Sequence, residues 1–188
     1  MLSSASSQAT FTAMDHSTEE EWRLIASETV ANWPRVAEQI LSMLAQLESI
    51  TDGFAVNQLV HSLQTATRAE RDGADDEVIV ASLCHDIGKV ISVANHPRIA
   101  AEILRPYVRA EVASMIEAHQ DFQGKHYYSY LGMDPTLRSN HVDAPWYSLA
   151  ERFADDWDQT SFDPSYDTLP LEHFEPIVRR VFAQPRSM

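Results

Sequence analysis

The chain has 188 residues, 44% hydrophobic and 22% charged, which is ordinary for a globular protein and enough to bury one sizeable core. A formal net charge of −14 argues against a nucleic-acid surface or an anionic membrane as partner. It leaves room for an anionic substrate, because a bound cation and a few local basic groups reverse the field inside a pocket.

Residues 1–16, rich in Ser, Ala and Thr, are expected to form a loose tail, with 17–188 as one domain. The N-terminus lacks a basic n-region, and no apolar run is long enough to span a bilayer, so a cytoplasmic protein is expected. Ser17 with Glu20 fits a capping box that opens a helix running to Trp33, where Pro34 ends it. Val36, Ile40, Met43, Leu44 and Leu47 recur at helical spacing, and "TDG" at 51–53 breaks the run. A third helix is expected from Ala55 to Asp72. A fourth, capped by Asp75 or Asp76, covers "ADDEVIVASLCHDIGKV", although "EVIVASL" alone also fits a buried strand. Further helices are expected over 97–104, 108–119, 123–131, 135–139, 145–158 and 170–183. No segment alternates at period two, and the pattern predicts an all-α fold. The one cysteine, Cys84, allows no intramolecular disulfide and reads as a small core residue.

Six polar residues sit where apolar ones are expected. His85 and Asp86 interrupt the run "SLCHDIGKV"; an unpartnered buried carboxylate there would cost several kcal/mol, which a bound cation offsets. His61 shares a helical face with Gln58, Gln64 and Thr65, opposite Leu59, Leu63 and Ala66. For that helix alone, a polar stripe facing water is the simpler reading. His96 stands just before a helix start at Pro97, His119 ends the helix "EVASMIEAHQ", and Asp158 lies among aromatics in "FADDWDQTSF". The set reads H-x23-HD-x9-H-x22-H-x38-D. Four imidazoles and two carboxylates are too many for one tetrahedral zinc, and suit a pair of octahedral ions; nitrogen and oxygen donors without thiolate favour iron or manganese.

The spacing of His61 and the His85–Asp86 doublet resembles the HD-domain superfamily of all-helical metalloproteins. The added His96 and His119 resemble its dinuclear branch. "QLVHSLQTATRAERDGAD", "NHPRIAAEILRPYV", "HQDFQGKHYYSYLG" and "WDQTSFDPSYDTLPLEHFEPIVRRVF" are similar to the small single-domain members grouped with the organophosphonate oxygenases, relatives of myo-inositol oxygenase. The resemblance implies a single HD-domain helical bundle with a dinuclear site in its core, in which His61, His85, Asp86, His96, His119 and Asp158 are the metal ligands and catalytic residues. It implies two iron ions as an Fe(II)/Fe(III) pair, O2 as cosubstrate and a small organophosphonate as substrate. A 2-oxoglutarate-dependent hydroxylase is expected upstream in the same pathway.

Three departures bear on the substrate. An iron-capping tyrosine of the aminohydroxyethylphosphonate oxygenase is Thr51 here, its amine-reading glutamate is Phe54, and a phosphonate-contacting histidine is Lys89. Lys89 and Lys125 are the expected phosphonate contacts, with Gln58, Gln64 and Gln123 as supporting donors; His126, His141 and His173 are expected to be structural or exposed. The aromatic residues after the third and fourth histidines (Phe122, Tyr127, Tyr128, Tyr130, Trp146, Tyr147, Phe153, Trp157) are mostly expected in helix cores, but a pocket with Phe54 and Tyr and Trp among them suits a quaternary ammonium, with charge added by Asp155 or Asp156. The expected reaction is therefore C–P cleavage of a 1-hydroxy-2-(trimethylammonio)ethylphosphonate to glycine betaine and phosphate. The alternative is a dinuclear phosphohydrolase acting on a small phosphate ester or nucleotide, for which Arg138 is the only visible nucleotide contact. A binding module without activity is a third reading, disfavoured by the complete ligand set.

Overall fold

In a computed structural model of the chain, residues 8–186 are described; residues 1–7, the first part of the expected tail, lie outside them. No strand forms among the described residues, and none of their helices is long and apolar enough to cross a membrane. Eight α-helices follow in order: α1 (Glu19–Ala31), α2 (Arg35–Gln46), α3 (Gln58–Arg71), α4 (Asp76–Cys84), α5 (His96–Leu104), α6 (Ala110–Tyr127), α7 (Tyr147–Arg152) and α8 (Leu171–Val181).

The capping box of α1 forms one residue later than the sequence pattern indicates. Thr18 is the N-cap and Glu21 its partner. The other Glu21 oxygen accepts from the backbone N–H of Thr10 (2.7 Å) and Phe11 (3.2 Å), and Phe11 packs on Trp22, so residues 10 and 11 fold back onto α1. Asn57, which no spacing flagged, caps α3 by accepting from the Val60 N–H, and α3 therefore starts three residues later than expected. Asp75 caps α4 in the same way.

The core is built by α3 packed on α4, α5 on α6, and α8 laid across α4 and α2. Phe122, Phe153, Phe174 and Phe182 are fully buried in it, each worth about 1.5–3 kcal/mol. Cys84 lies among them, its thiol pushed up to about 12 by burial, consistent with an inert core residue.

Three expectations give way. The fourth helix stops at Cys84 rather than running through the HD doublet; Asp86 sits at φ −102°, ψ 3°, outside helical geometry, and Ile87–Val90 turn as 3-10. The two helices expected over 108–119 and 123–131 are one, α6, because Gly124 leaves room for the Tyr128 ring to lie against the helix. His119 is therefore in the middle of a helix, not at its end. The segment expected as one helix over 145–158 changes at Phe153 from α7 into a π-helical turn, Phe153–Asp158, closed by the Gln159 N–H on the Ala154 carbonyl. Such turns recur at functional sites.

Candidate metal centre

Four helices and the π-turn deliver the six polar residues to one buried point. His61 comes from the first turn of α3, His85 and Asp86 from the end of α4, His96 from the start of α5, His119 from the middle of α6 and Asp158 from the end of the π-turn. All six are at most 3% exposed. The α3 stripe expected to face water faces inward: Gln58, His61, Gln64 and Thr65 are all buried, because α3 is covered by α4 on one side and by the π-turn and the loop after it on the other.

Each histidine is held by its Nδ1. The Nδ1–H groups of His85, His96 and His119 donate to the carbonyl three residues earlier, on Ser82 (2.8 Å), Val93 (2.7 Å) and Ile116 (2.7 Å). His61 Nδ1 donates to the Ser161 carbonyl at 2.9 Å. A carbonyl only accepts, so these contacts place the proton on Nδ1 and turn a bare Nε2 lone pair toward the centre. The Nε2 atoms of His61 and His85 then face each other at 3.0 Å. Asp86 Oδ1, Asp158 Oδ1 and His119 Nε2 are buried without a hydrogen-bond donor. Lys89 and Gln123 donate only to the other oxygens of Asp86 and Asp158, so these facing lone pairs of nitrogen and oxygen meet no donor, and cations are what such a space fits.

The donors divide about Asp86. Its Oδ1 lies 2.9 Å from His96 Nε2 and 3.7 Å from His119 Nε2; its Oδ2 lies 3.4 Å from His85 Nε2 and 3.6 Å from His61 Nε2. Asp158 Oδ1 joins the second group, 3.1 Å from His61 and 3.5 Å from His85. Two sets of donors meet the distance condition for holding an ion: His61, His85 and Asp158, and His85, Asp86 and His119. The two sets have His85 in common, and Asp86 turns one oxygen toward each group of histidines. Burial alone would raise both carboxyls; for Asp86, His85 and then His119 and His96 outweigh it and hold the group well below the usual range, and for Asp158, His85 and His61 outweigh it and lower the group.

Supporting contacts fix the ligands. Gln123 donates to Asp158 Oδ2. Trp157 Nε1–H donates to Asp72 at 3.0 Å, and Arg152 binds the same carboxylate, so the π-turn is anchored to the end of α3. Phe153 sits edge-on beneath the His85 and His119 rings. Gly88 packs against the His96 backbone so closely that a Cβ would lie 2.8 Å from the His96 Cα.

Above the centre is a cavity of about 530 Å³, lined by His61, Asp86, His96, Lys89, Gln120, Gln123, His126, Tyr127, Gln159, Val93, Phe54, Phe162 and Asp52. Phe162 stacks on His61 (4.3 Å) and on Phe54 (4.8 Å), so one wall is a three-ring stack from a ligand to the mouth. Burial, with Tyr128 and the Asp158 and Asp86 carboxylates, pushes the Tyr127 phenol up, so it is present as the neutral hydroxyl.

Several expected substrate contacts are placed elsewhere. Gln64 is a clamp: its Nε2 donates to the Asp163 carbonyl (2.7 Å) and its Oε1 accepts from the Asp163 N–H, which holds the loop carrying Ser161 against α3. Lys125 is half exposed and paired with Asp155 at 3.1 Å, and it does not line the cavity. Gln58 accepts from Lys89 at 2.9 Å, and Lys89 also donates to Asp86 Oδ2 at 2.6 Å. Gln123 lines the cavity as expected. Of the later aromatics only Tyr127 reaches the cavity; Phe122, Phe153 and Trp157 are core, Tyr130 is exposed, and Trp146 lies in a separate groove. Phe162 and Asp52, which line the cavity, were missed, and His126, expected to be structural or exposed, lines it as well while paired with Asp155. Arg138, the expected nucleotide contact, is buried on Asp155.

Residues 59–163, more than half of the chain, match the model of the HD domain. The chain belongs to the HD-domain family, and its buried His/Asp cluster is compatible with the metal-dependent chemistry typical of that family. No curated protein matches the chain.

Proposed function

We propose that the protein is a mixed-valent di-iron oxygenase that uses O2 to cleave the C–P bond of a 1-hydroxyalkylphosphonate bearing a trimethylammonium group. The products are phosphate and a carboxylate such as glycine betaine. The observation that supports it most is the division of six nitrogen and oxygen donors about Asp86 at the floor of a single cavity. Two irons held by His61, His85, Asp86, His96, His119 and Asp158 would supply O2 activation and a Lewis-acidic seat for the substrate oxygens.

The reaction balances without a further reductant: the carbinol C–H and the C–P bond break, and both atoms of O2 end in the carboxylate and the phosphate. The chain's own residues position and shield. Lys89 spends two of its three donors on Asp86 and Gln58, which leaves one for a phosphonate oxygen. Gln123 holds Asp158 in place. Phe153 below and Phe162 beside the ligand rings keep water from them. Toward the mouth, Phe54 and Tyr127 offer ring faces, each worth about 1–2 kcal/mol to a desolvated methylated ammonium, with the Asp52 carboxylate nearby. Asp155 and Asp156 do not line this cavity; Asp155 is committed to Arg138, His126 and Lys125.

The test is phosphate release and O2 uptake by the iron-loaded protein with 1-hydroxy-2-(trimethylammonio)ethylphosphonate and its primary-amine analogue. Equimolar O2 uptake and phosphate release are expected, with the higher kcat/KM for the trimethylated compound. Metal-dependent hydrolysis of phosphate esters without O2 uptake would replace this reading with a phosphohydrolase. Preference for the primary amine would remove the aromatic argument alone.

A further inference from the structure

We propose that Asp72 is a positioning residue for one of the two ion seats: through Trp157 it holds the π-turn in the register that brings Asp158 against His61, and it leaves the Asp86–His119 seat untouched. This rests on reading the centre as two seats, whichever reaction follows.

The two seats are supported in different ways. One is His85, Asp86 and His119. His85 and His119, like His96 beside them, are fixed by carbonyls three residues earlier in the chain. That side is made by contacts local to α4, α5 and α6. The other seat is His61, His85 and Asp158. His61 is fixed by the Ser161 carbonyl, 100 residues away in sequence. Ser161 is in turn built on the π-turn. Its N–H donates to the Asp158 carbonyl at 3.0 Å, and its hydroxyl to the Trp157 carbonyl at 2.6 Å. Whatever fixes Trp157 therefore fixes both Asp158 and the group that orients His61.

Trp157 is held by a stripe on α3. His61, Gln64, Arg68 and Asp72 fall at i, i+3, i+7 and i+11 and so share a face. Each bonds to the segment 157–163. His61 takes the Ser161 carbonyl, Gln64 the Asp163 backbone, Arg68 the Thr160 carbonyl at 3.0 Å, and Asp72 the Trp157 indole N–H at 3.0 Å. Asp72 is the member farthest from the centre: α3 rises roughly 16 Å between it and His61, too far to touch an ion. Its carboxylate also accepts from Arg152 Nε at 2.9 Å, on the last residue of α7. The entry to the π-turn and the residue before Asp158 are thus tied to one group.

A π-turn carries an extra residue and is rarely stable unaided. Slipping to α-helical register would swing Asp158 by about 100° about the axis and take it off His61. An ordinary surface ion pair does not explain the arrangement. Asp72 and Arg152 are half exposed, and such a pair alone matters little. The Trp157 ring is buried, and its N–H finds its acceptor on Asp72.

The experiment is equilibrium dialysis of the full chain against Mn(II), an ion suited to nitrogen and oxygen donors. Bound ions are counted, and electron paramagnetic resonance separates a coupled pair from a lone ion. The parent is compared with D72A, D72N, W157F, D158A and the double variant D158A/D72A, with Tm measured on each. The parent is expected to bind two ions. D72A and W157F are expected to hold one ion as the parent does and the other about tenfold more weakly. D72N keeps an acceptor for the indole and is expected to bind as the parent does. The double variant is expected to bind as D158A alone, because the seat that Asp72 serves is already gone. Equal weakening of both ions, unchanged binding in D72A, a D72N as weak as D72A, or further loss in the double variant would each overturn the assignment. A parent that binds a single ion sinks the two-seat centre itself and this proposal with it, and that result is read before any variant is made.

Discussion

Gly88 and His96 touch through their backbones. A Cβ on residue 88 would lie 2.8 Å from the His96 Cα and closer still to its carbonyl oxygen. That contact seats the start of α5 on the turn after the HD doublet and brings His96 Nε2 to 2.9 Å from Asp86. Gly88→Ala must push α5 outward. It is expected to cost about 1–3 kcal/mol of stability and to weaken the ion on the His96–His119 side in preference to the other. Denaturant titration with metal analysis checks this; a variant with the parent's stability and metal content would show that the contact relaxes freely.

Gln64 does its work at a distance from the centre. By bonding both backbone groups of Asp163 it holds the loop whose Ser161 carbonyl fixes His61. Gln64→Ala leaves these groups unpaired at about 1–3 kcal/mol and frees the His61 ring. Metal affinity is expected to fall about 10- to 100-fold, measured by competition with a chelator, without direct loss of a ligand. Unaltered affinity would make Gln64 a fold residue only.

Much of this was legible in the sequence, and the reasons for the rest are physical. His85 and Asp86 stood out because a buried carboxylate needs a compensating partner, while His61, His96, His119 and Asp158 joined them through the spacing that resembles the HD-domain superfamily; all six are buried and face one another. The α3 and α4 starts needed cap geometry: Asp75 was visible, while Asn57 was hidden because the apolar pattern begins before the helix does. The inward direction of the α3 polar stripe was invisible, since periodicity defines a face and not what covers it. Lys125 was chosen over His126 because a formal charge is readable and a helical azimuth near a helix end is not. Phe162 lies in a loop, where no periodicity marks it, though its place four residues after Asp158 was the available signal.

Glu21 gives a pH test away from the metals. Backbone N–H groups of Thr10 and then Thr18 hold its carboxyl down from 4.5 to about 2. A carboxyl lowered on folding stabilises above its unfolded value and loses that contribution as pH falls through the folded one. The fold-back of residues 10 and 11 onto α1 is therefore expected to persist below pH 4.5 and to release toward about 2. Proton NMR titration of the Glu21 carboxyl and of the Thr10 amide measures this. An ordinary Glu21 titration near 4.5 would mean that the capping box is open in solution.

The most direct measurement is the metal content of the protein purified from iron-replete cells, determined by elemental analysis alongside Asp86→Ala. Among the described residues, Asp86 is the one side chain whose two oxygens face both groups of histidines. Two irons per chain are expected in the parent, and loss of most of both in the variant. A single metal per chain, or stoichiometric zinc, would contradict the di-iron centre.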